Sequence, residues 1–197
     1  MSVNQKHSEL EIKVDASKVD LDEFLAWCKD KSPIDQIHVA SPDDMWRHKK
    51  NVIRHRYSPT EEKQELTVKK RKSDTSIMDR VEIDLFFSQE TTVDDVKAFL
   101  KASGWKKVFT LMKEAYIFFY PEVSVVWYSA YKKGKPKKKR YFLEVEISKD
   151  SKLTKTQSML LLEAWRVDIA SKFKIGKPLN SSLFELFSKT KYLKTKG

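Results

Sequence analysis

The sequence predicts an α+β protein in which an antiparallel sheet closes on itself, polar inside and apolar outside, with helices laid against the outer face. Three observations predict it. Several segments alternate strictly between apolar and charged residues, the period of a strand with two different faces. Along a given strand the charges tend to repeat in sign, and such rows repel unless an opposed row or a ligand compensates them. Other segments carry one apolar stripe at helical spacing. A sheet rolled into a barrel sets the opposed rows face to face across a cavity and turns the apolar faces toward the helices.

The first strand is read from Glu9 to Val14, with Glu9, Glu11 and Lys13 on one side and Leu10, Ile12 and Val14 on the other. Ser17 is expected to cap a helix running to about Lys31, with Asp20, Asp22 and Glu23 near its start, where the helix dipole favours acids. Pro33 stops it. Ile34 to Ala40 reads as a short strand, and Ser41-Pro42-Asp43-Asp44 as a turn. Asn51 to Tyr57 puts Arg54 and Arg56 on one face and His55 on the other. Ser58-Pro59-Thr60 is the next turn. Glu65 to Lys72 projects Thr67, Lys69 and Arg71 together, and Ile77 to Phe87 projects Arg80, Glu82 and Asp84.

Thr92 to Ser103 repeats Val93, Val96, Phe99 and Leu100 at helix spacing, and Gly104 ends it. Lys106 to Tyr131 is β-branched and aromatic, broken at Pro121-Glu122, and carries Lys113 as its prominent charge. Arg140 to Ser148 returns to the opening theme, Glu144 and Glu146 against Leu143, Val145 and Ile147. A helix from about Thr154 to Phe173 and a short one at Leu183 to Phe187 complete the chain. With no internal repeat and no long linker, residues 1–197 read as a single domain.

Of the 197 residues, 40% are hydrophobic and 34% charged, so the chain carries enough apolar surface to fold around a core. No run reaches the length of a membrane span, and the N-terminus lacks the apolar core of a signal peptide. The lone Cys28 excludes an internal disulfide and any cysteine-based metal cluster, and its helical apolar surroundings predict packing. The expectation is a cytoplasmic protein with no membrane contact. The net charge is +11, and the seven basic residues from Lys132 to Arg140 account for all but +4 of it. Gly134 and Pro136 place them at a hairpin tip, either a solvated loop or a patch for nucleic acid and other anions.

The polar faces set Glu9, Glu11, Glu82, Asp84, Glu144 and Glu146 against Lys13, Arg54, Arg56, Lys69, Arg71, Arg80 and Lys113. Closely placed carboxylates are hard oxygen ligands suited to Mg²⁺ or Mn²⁺. Arginine forks and lysine point charges suit the oxygens of a polyphosphate. Only four glycines occur and no glycine-rich phosphate loop, so side chains rather than backbone amides must hold any phosphate. His55 falls on an apolar face and reads as packed, His7 is terminal and reads as exposed, and His38 and His48 lack ligand spacing. Trp105, Trp127 and Trp165 are interleaved with aliphatic residues and read as core.

These residues resemble the CYTH superfamily, also called triphosphate tunnel metalloenzymes. Glu9-Leu10-Glu11-Ile12-Lys13 matches its Glu-x-Glu-x-Lys signature, and Arg54-His55-Arg56 is similar to its Arg-x-Arg strand. Leu66-Thr67-Val68-Lys69, Arg80-Val81-Glu82, Leu143-Glu144-Val145-Glu146-Ile147 and the segment Ser181 to Leu186 resemble later motifs in the same order, over about residues 7 to 187. The resemblance implies an eight-stranded antiparallel tunnel that binds a triphosphate with divalent metal. It implies Glu9, Glu11, Glu144 and Glu146 as metal ligands, and Lys13, Arg54, Arg56, Lys69, Arg71, Arg80 and Lys113 as substrate-binding residues. Glu9, Glu11, Lys13 and Glu82 would form the catalytic set, with Glu82 either on the metal side or supporting the residues that hold the metal.

Two departures stand out. Where many members carry Lys-x-Arg, Lys113 is followed by Glu114 and Ala115, and Val125 to Ser129 offers no acid where many carry an aspartate. The first removes a phosphate contact, and the second weakens or moves a metal-side ligand. The expected function is hydrolysis of inorganic triphosphate, a nucleoside or thiamine triphosphate, or an RNA 5′-triphosphate, using Mg²⁺ or Mn²⁺. The alternatives are cyclisation of ATP, as in class IV adenylate cyclases, and binding of nucleotides, polyphosphate or RNA without turnover.

Overall fold

The computed structural model describes residues 5–58, 63–71, 78–87 and 90–188, with backbone alone at 5–8, 70, 71 and 78–80. Eight strands follow the sequence as β1 (Gln5–Asp15), β2 (Asp35–His48), β3 (Asn51–Ser58), β4 (Lys63–Arg71), β5 (Met78–Phe86), β6 (Lys106–Phe119), β7 (Val123–Lys132) and β8 (Arg140–Ile147). Among the described residues four α-helices accompany them: α1 (Leu21–Asp30), α2 (Val93–Ala102), α3 (Lys155–Lys172) and α4 (Leu183–Phe187). Every strand pairing is antiparallel, and the ring order is β1-β5-β4-β3-β2-β6-β7-β8.

The ring closes through β1 one half at a time. Gln5 to Glu11 pair with β5, Glu11 to Asp15 pair with β8, and Glu11 has a partner on both sides. A strap from the C-terminal part covers the rest of this edge. Gly176 N–H donates to the Asp15 carbonyl at 2.9 Å, Pro178 bridges Val14, and Leu179 N–H donates to the Lys13 carbonyl at 2.8 Å. A Cβ at Gly176 would stand 3.0 Å from Cβ of Asp15, so a side chain there would push this close crossing apart by a few tenths of an ångström.

Most of the core lies outside the barrel, with a smaller buried apolar cluster on the inward side around Ala115, Val126 and Tyr128. Leu10, Ile12, Val14, Val125, Trp127, Leu143 and Val145 form an apolar layer with Phe24 and Cys28 of α1 and Leu162 and Ile169 of α3. Val96 and Leu100 of α2 cover Trp46 and Leu66 on the far side. Burial pushes the Cys28 thiol up to about 12, keeping it protonated, so it acts as a packing residue. His55 is fully buried with Nε2 3.1 Å from Oε1 of Gln64, a packed histidine as expected.

The helices show why their ends fall where they do. Thr92, Thr154 and Ser182 cap α2, α3 and α4, each in a reciprocal capping box with the residue three places on. Gly104 follows α2 with φ +82°, as the sequence requires. The start of α1 differs from expectation. Asp20 is its cap, while Ser17 N–H and Oγ both donate to Oδ1 of Asp15 and so close a turn before the helix.

A larger correction concerns Ser41-Pro42-Asp43-Asp44, which form no turn: β2 runs straight through them. Pro42 is tolerated because Asp35 to Pro42 pair with β6 alone and β3 joins only from Asp43, leaving the proline without a second ladder to supply. The expected turn at Pro59 and Thr60 lies outside the described residues.

Candidate active site in the barrel interior

Alternation along each strand sends the charged set inward, around a cavity of about 740 Å³ lined by Glu9, Glu11, Lys13, Arg54, Arg56, Lys69, Glu82, Lys113, Glu144 and Glu146. Antiparallel register sets the neighbours. Lys69 lies across from Glu82, and Glu11 across from Glu146, so residues far apart in the chain share one patch of wall.

On the acidic wall, carboxylate oxygens of Glu9, Glu11 and Glu146 all lie within 4.8 Å of one another. Lysines balance part of this charge. Lys69 Nζ is 2.6 Å from Glu9 and 3.1 Å from Glu82, while Lys13 Nζ is 3.2 Å from Glu11 and 2.9 Å from Glu144. Glu144 also accepts from the Tyr128 hydroxyl at 2.8 Å. Burial, the largest influence, opposes its ionisation, but the Lys13 and Lys113 charges and the Lys13 hydrogen bond together hold it below the usual carboxylate range. Glu146 goes the other way. Burial, then the neighbouring charges of Glu9, Glu11 and Glu144, push it up to about 8, against a smaller opposing pull from Lys69. Three crowded carboxylates with one proton among them fit a hard divalent cation, which would replace that proton.

Across the ring, β3 stands four places from β8 and β6 four places from β5. Arg54 Nη2 donates to Glu65 at 2.6 Å and to the Thr67 hydroxyl at 2.8 Å. Arg56 grips Asp43 with its fork, Nε to Oδ1 at 2.7 Å and Nη2 to Oδ2 at 2.9 Å. Asp43 is fully buried, and its ionised form survives burial because Arg56 attracts and hydrogen-bonds it. The Lys113 ammonium sits 4.1 Å above the centre of the Tyr128 ring. Burial and then repulsion from Arg56 lower it to about 8, although Glu144 and Asp43 pull upward.

The structure therefore brings together Glu9, Glu11, Lys13, Arg54, Arg56, Lys69, Glu82, Lys113, Glu144 and Glu146. The trio of closest carboxylates comprises Glu9, Glu11 and Glu146, while Glu144 is turned to Lys13 and Tyr128. Arg71 and Arg80 are opposite each other in register on β4 and β5, and their side chains lie outside the described residues.

Sequence reasoning missed Asp43, hidden by the misread turn, and Glu65. The latter shares the alternation of Thr67 and Lys69, so its signal was present. Tyr128 also escaped, as an aromatic among aromatics. The basic run from Lys133 to Lys139, exposed throughout, forms the β7–β8 connection after Lys132 ends β7, with Gly134 at φ +81°. No helix among the described residues is long and apolar enough to cross a membrane.

The CYTH domain model matches residues 7–175, most of the chain, including both Glu-x-Glu strands. This chain belongs to the CYTH family. No curated protein sequence is detectably similar to it. Solved structures share the fold at low identity. The PH1012 protein of Pyrococcus horikoshii is 15% identical with a TM-score of 0.69, over 91% of this chain and 99% of that one. An adenylate cyclase candidate from Vibrio parahaemolyticus is 19% identical with a TM-score of 0.64, over 92% and 98%. The Pct1 RNA triphosphatase of Schizosaccharomyces pombe, solved with the Spt5 CTD, is 13% identical with a TM-score of 0.51, over 84% of each chain. In this CYTH chain the acidic trio and the cationic rows thus stand in a barrel architecture shared across those organisms.

Proposed function

We propose that the barrel interior is the active site of a divalent-metal-dependent triphosphate hydrolase. One observation carries the reading: the crowded carboxylates Glu9, Glu11 and Glu146 of β1 and β8 line the same cavity as Arg54 and Arg56 of β3, three and four places away around the ring, and Lys113 of β6. An anion bearing several phosphoryl groups, together with a cation, compensates both walls at once. A single carboxylate or a lone phosphate would leave one wall uncompensated.

Glu9, Glu11 and Glu146 would hold the cation, which when bound neutralises charge on the phosphoryl oxygens. Mg²⁺ and Mn²⁺ both suit this all-oxygen set. Lys13 and Lys69, now on the carboxylates, are placed to turn to phosphate oxygens as the cation takes over their partners. Glu144 then loses Lys13 and can serve as the fourth acid of the metal side. Arg54, Arg56 and Lys113 bind along the phosphate chain and stabilise charge that builds as it breaks, and Arg71 and Arg80 belong to the same reading. Glu82, beside Lys69 and 3.8 Å from Arg54, keeps these two cations aimed inward. Water adds to the terminal phosphorus, the bond to its bridging oxygen breaks, and the diphosphate end leaves.

The test measures products from tripolyphosphate, ATP and 5′-triphosphate RNA with Mg²⁺ or Mn²⁺, alongside Glu11→Gln. Orthophosphate release that disappears in the variant is expected. Cyclic nucleotide with pyrophosphate would replace hydrolysis by cyclisation. Tight triphosphate binding without any product would overturn the enzyme and leave a binding protein.

A further inference from the structure

One buried side chain touches both charged walls. Tyr128 of β7 has no exposed surface, and antiparallel register sets it across from Ala115 on β6 and Phe142 on β8. Lys113 and Glu144 each stand two residues from those partners on the same face of the sheet, so they lie diagonally on either side of Tyr128. The Tyr128 hydroxyl donates to Oε1 of Glu144 at 2.8 Å, and the Lys113 ammonium stands 4.1 Å above the ring centre. Stacking on Phe142, with centres 5.2 Å apart, fixes the ring itself.

Neither contact adds a charge to the cavity. Oε1 of Glu144 also receives Lys13 Nζ at 2.9 Å, but an ammonium there repels an arriving cation. A neutral hydroxyl holds the carboxylate in place and leaves its charge for the metal. On the other side, a carboxylate bound directly to Lys113 would cancel its charge and repel phosphate. The negative face of an aromatic ring attracts the ammonium and brings no net charge. We propose that Tyr128 is a positioning residue for both halves of the site, its hydroxyl aiming Glu144 at the cation and its ring aiming Lys113 at phosphate oxygens. The inference rests on the triphosphate reading of the same cavity and adds the residue that ties its metal side to its phosphate side.

Two replacements separate the hydroxyl from the ring. Tyr128→Phe removes only the hydroxyl, and pentafluorophenylalanine in place of Tyr128 keeps the shape of phenylalanine while reversing the charge pattern of the ring face. Mn²⁺ and tripolyphosphate are titrated calorimetrically, the latter in chelator so that the Lys113 side is read without metal. Tyr128→Phe should bind Mn²⁺ about tenfold more weakly and tripolyphosphate as the unaltered protein does, which also shows that the variant is folded. The pentafluoro replacement should match Tyr128→Phe in Mn²⁺ binding but hold tripolyphosphate about three- to tenfold more weakly. Each loss should vanish in the matching background, the Mn²⁺ loss in Glu144→Gln and the tripolyphosphate loss in Lys113→Gln. Losses of undiminished size in those backgrounds would make Tyr128 a packing residue and overturn the proposal. Unchanged Mn²⁺ affinity in Tyr128→Phe, or equal tripolyphosphate affinity in the two replacements, would overturn it as well. If the unaltered protein binds no tripolyphosphate, either in chelator or with Mn²⁺, the triphosphate reading itself is overturned.

Discussion

Glu146 should make divalent-cation binding a proton-releasing event. Its carboxyl shares a small space with Glu9 and Glu11 and is pushed up to about 8, against about 4.3 for an exposed glutamate. At pH 7 such a group is about nine-tenths protonated, so a cation that takes all three carboxylates releases about 0.9 proton. The apparent affinity then rises about fiftyfold between pH 6 and pH 8, about 2.3 kcal/mol, and levels off above. Titrating Mn²⁺ calorimetrically in buffers of different ionisation enthalpy reads the proton count directly. Glu146→Gln, which cannot carry the proton, should release almost none and flatten the pH dependence.

The sign can be checked independently on protein kept in chelator. Between about pH 4.5 and 8 the folded protein holds a proton that the unfolded chain has lost, so this group makes stability fall as pH rises through that window. Glu146→Gln removes that slope. Proton release near zero at pH 7, or the same pH dependence in the variant, would refute the reasoning.

Lys113, lowered to about 8, gains charge only as pH falls through that value, so tripolyphosphate affinity should decline above pH 8, and Lys113→Gln should bind more weakly but without the decline. Equilibrium dialysis across pH 7 to 10 would show whether the slope survives. Asp43→Asn leaves the Arg56 fork without its buried acid and should cost about 3 kcal/mol in urea unfolding, the low end for breaking a buried pair because Arg56 is partly exposed; a loss under about 1 kcal/mol would show that the pair is not structural. Replacing Lys137, Lys138 and Lys139 by alanine tests the β7–β8 loop as a nucleic-acid contact. If the loop binds single-stranded RNA, the slope of log affinity against log salt should shrink by about 2, and an unchanged slope would leave it a solvated loop.

Much of the fold was legible because strand alternation is local. Glu9-Leu10-Glu11-Ile12-Lys13-Val14 announces two faces within six residues, and Glu144-Val145-Glu146 does so again. The caps Thr92 and Thr154, each followed three places on by its capping partner, are equally local. Local rules also misled. Ser41-Pro42-Asp43-Asp44 carries turn chemistry at every position, and only the absence of a β3 partner beside Pro42 lets the strand continue. Asp15, two residues before Ser17, drew that serine into a turn, and the helix start passed to Asp20.

By itself, the sequence determined which side chains face inward and that carboxylates and cations are placed there in rows, because alternation fixes a residue's face without reference to the rest of the chain. Only the tertiary structure decided which of those charges meet. Glu11 touches the space of Glu146 because β1 pairs with β8 across more than a hundred residues of chain, and Lys69 reaches Glu9 and Glu82 because of where β4 and β5 fall in register. The same packing occupied the fork of Arg56 with Asp43, pushed the Glu146 carboxyl up to about 8 and set Val126 across from Glu144. Those outcomes depend on distances of a few ångströms between strands remote in sequence, where charge and desolvation energies change steeply and local periodicity carries no information.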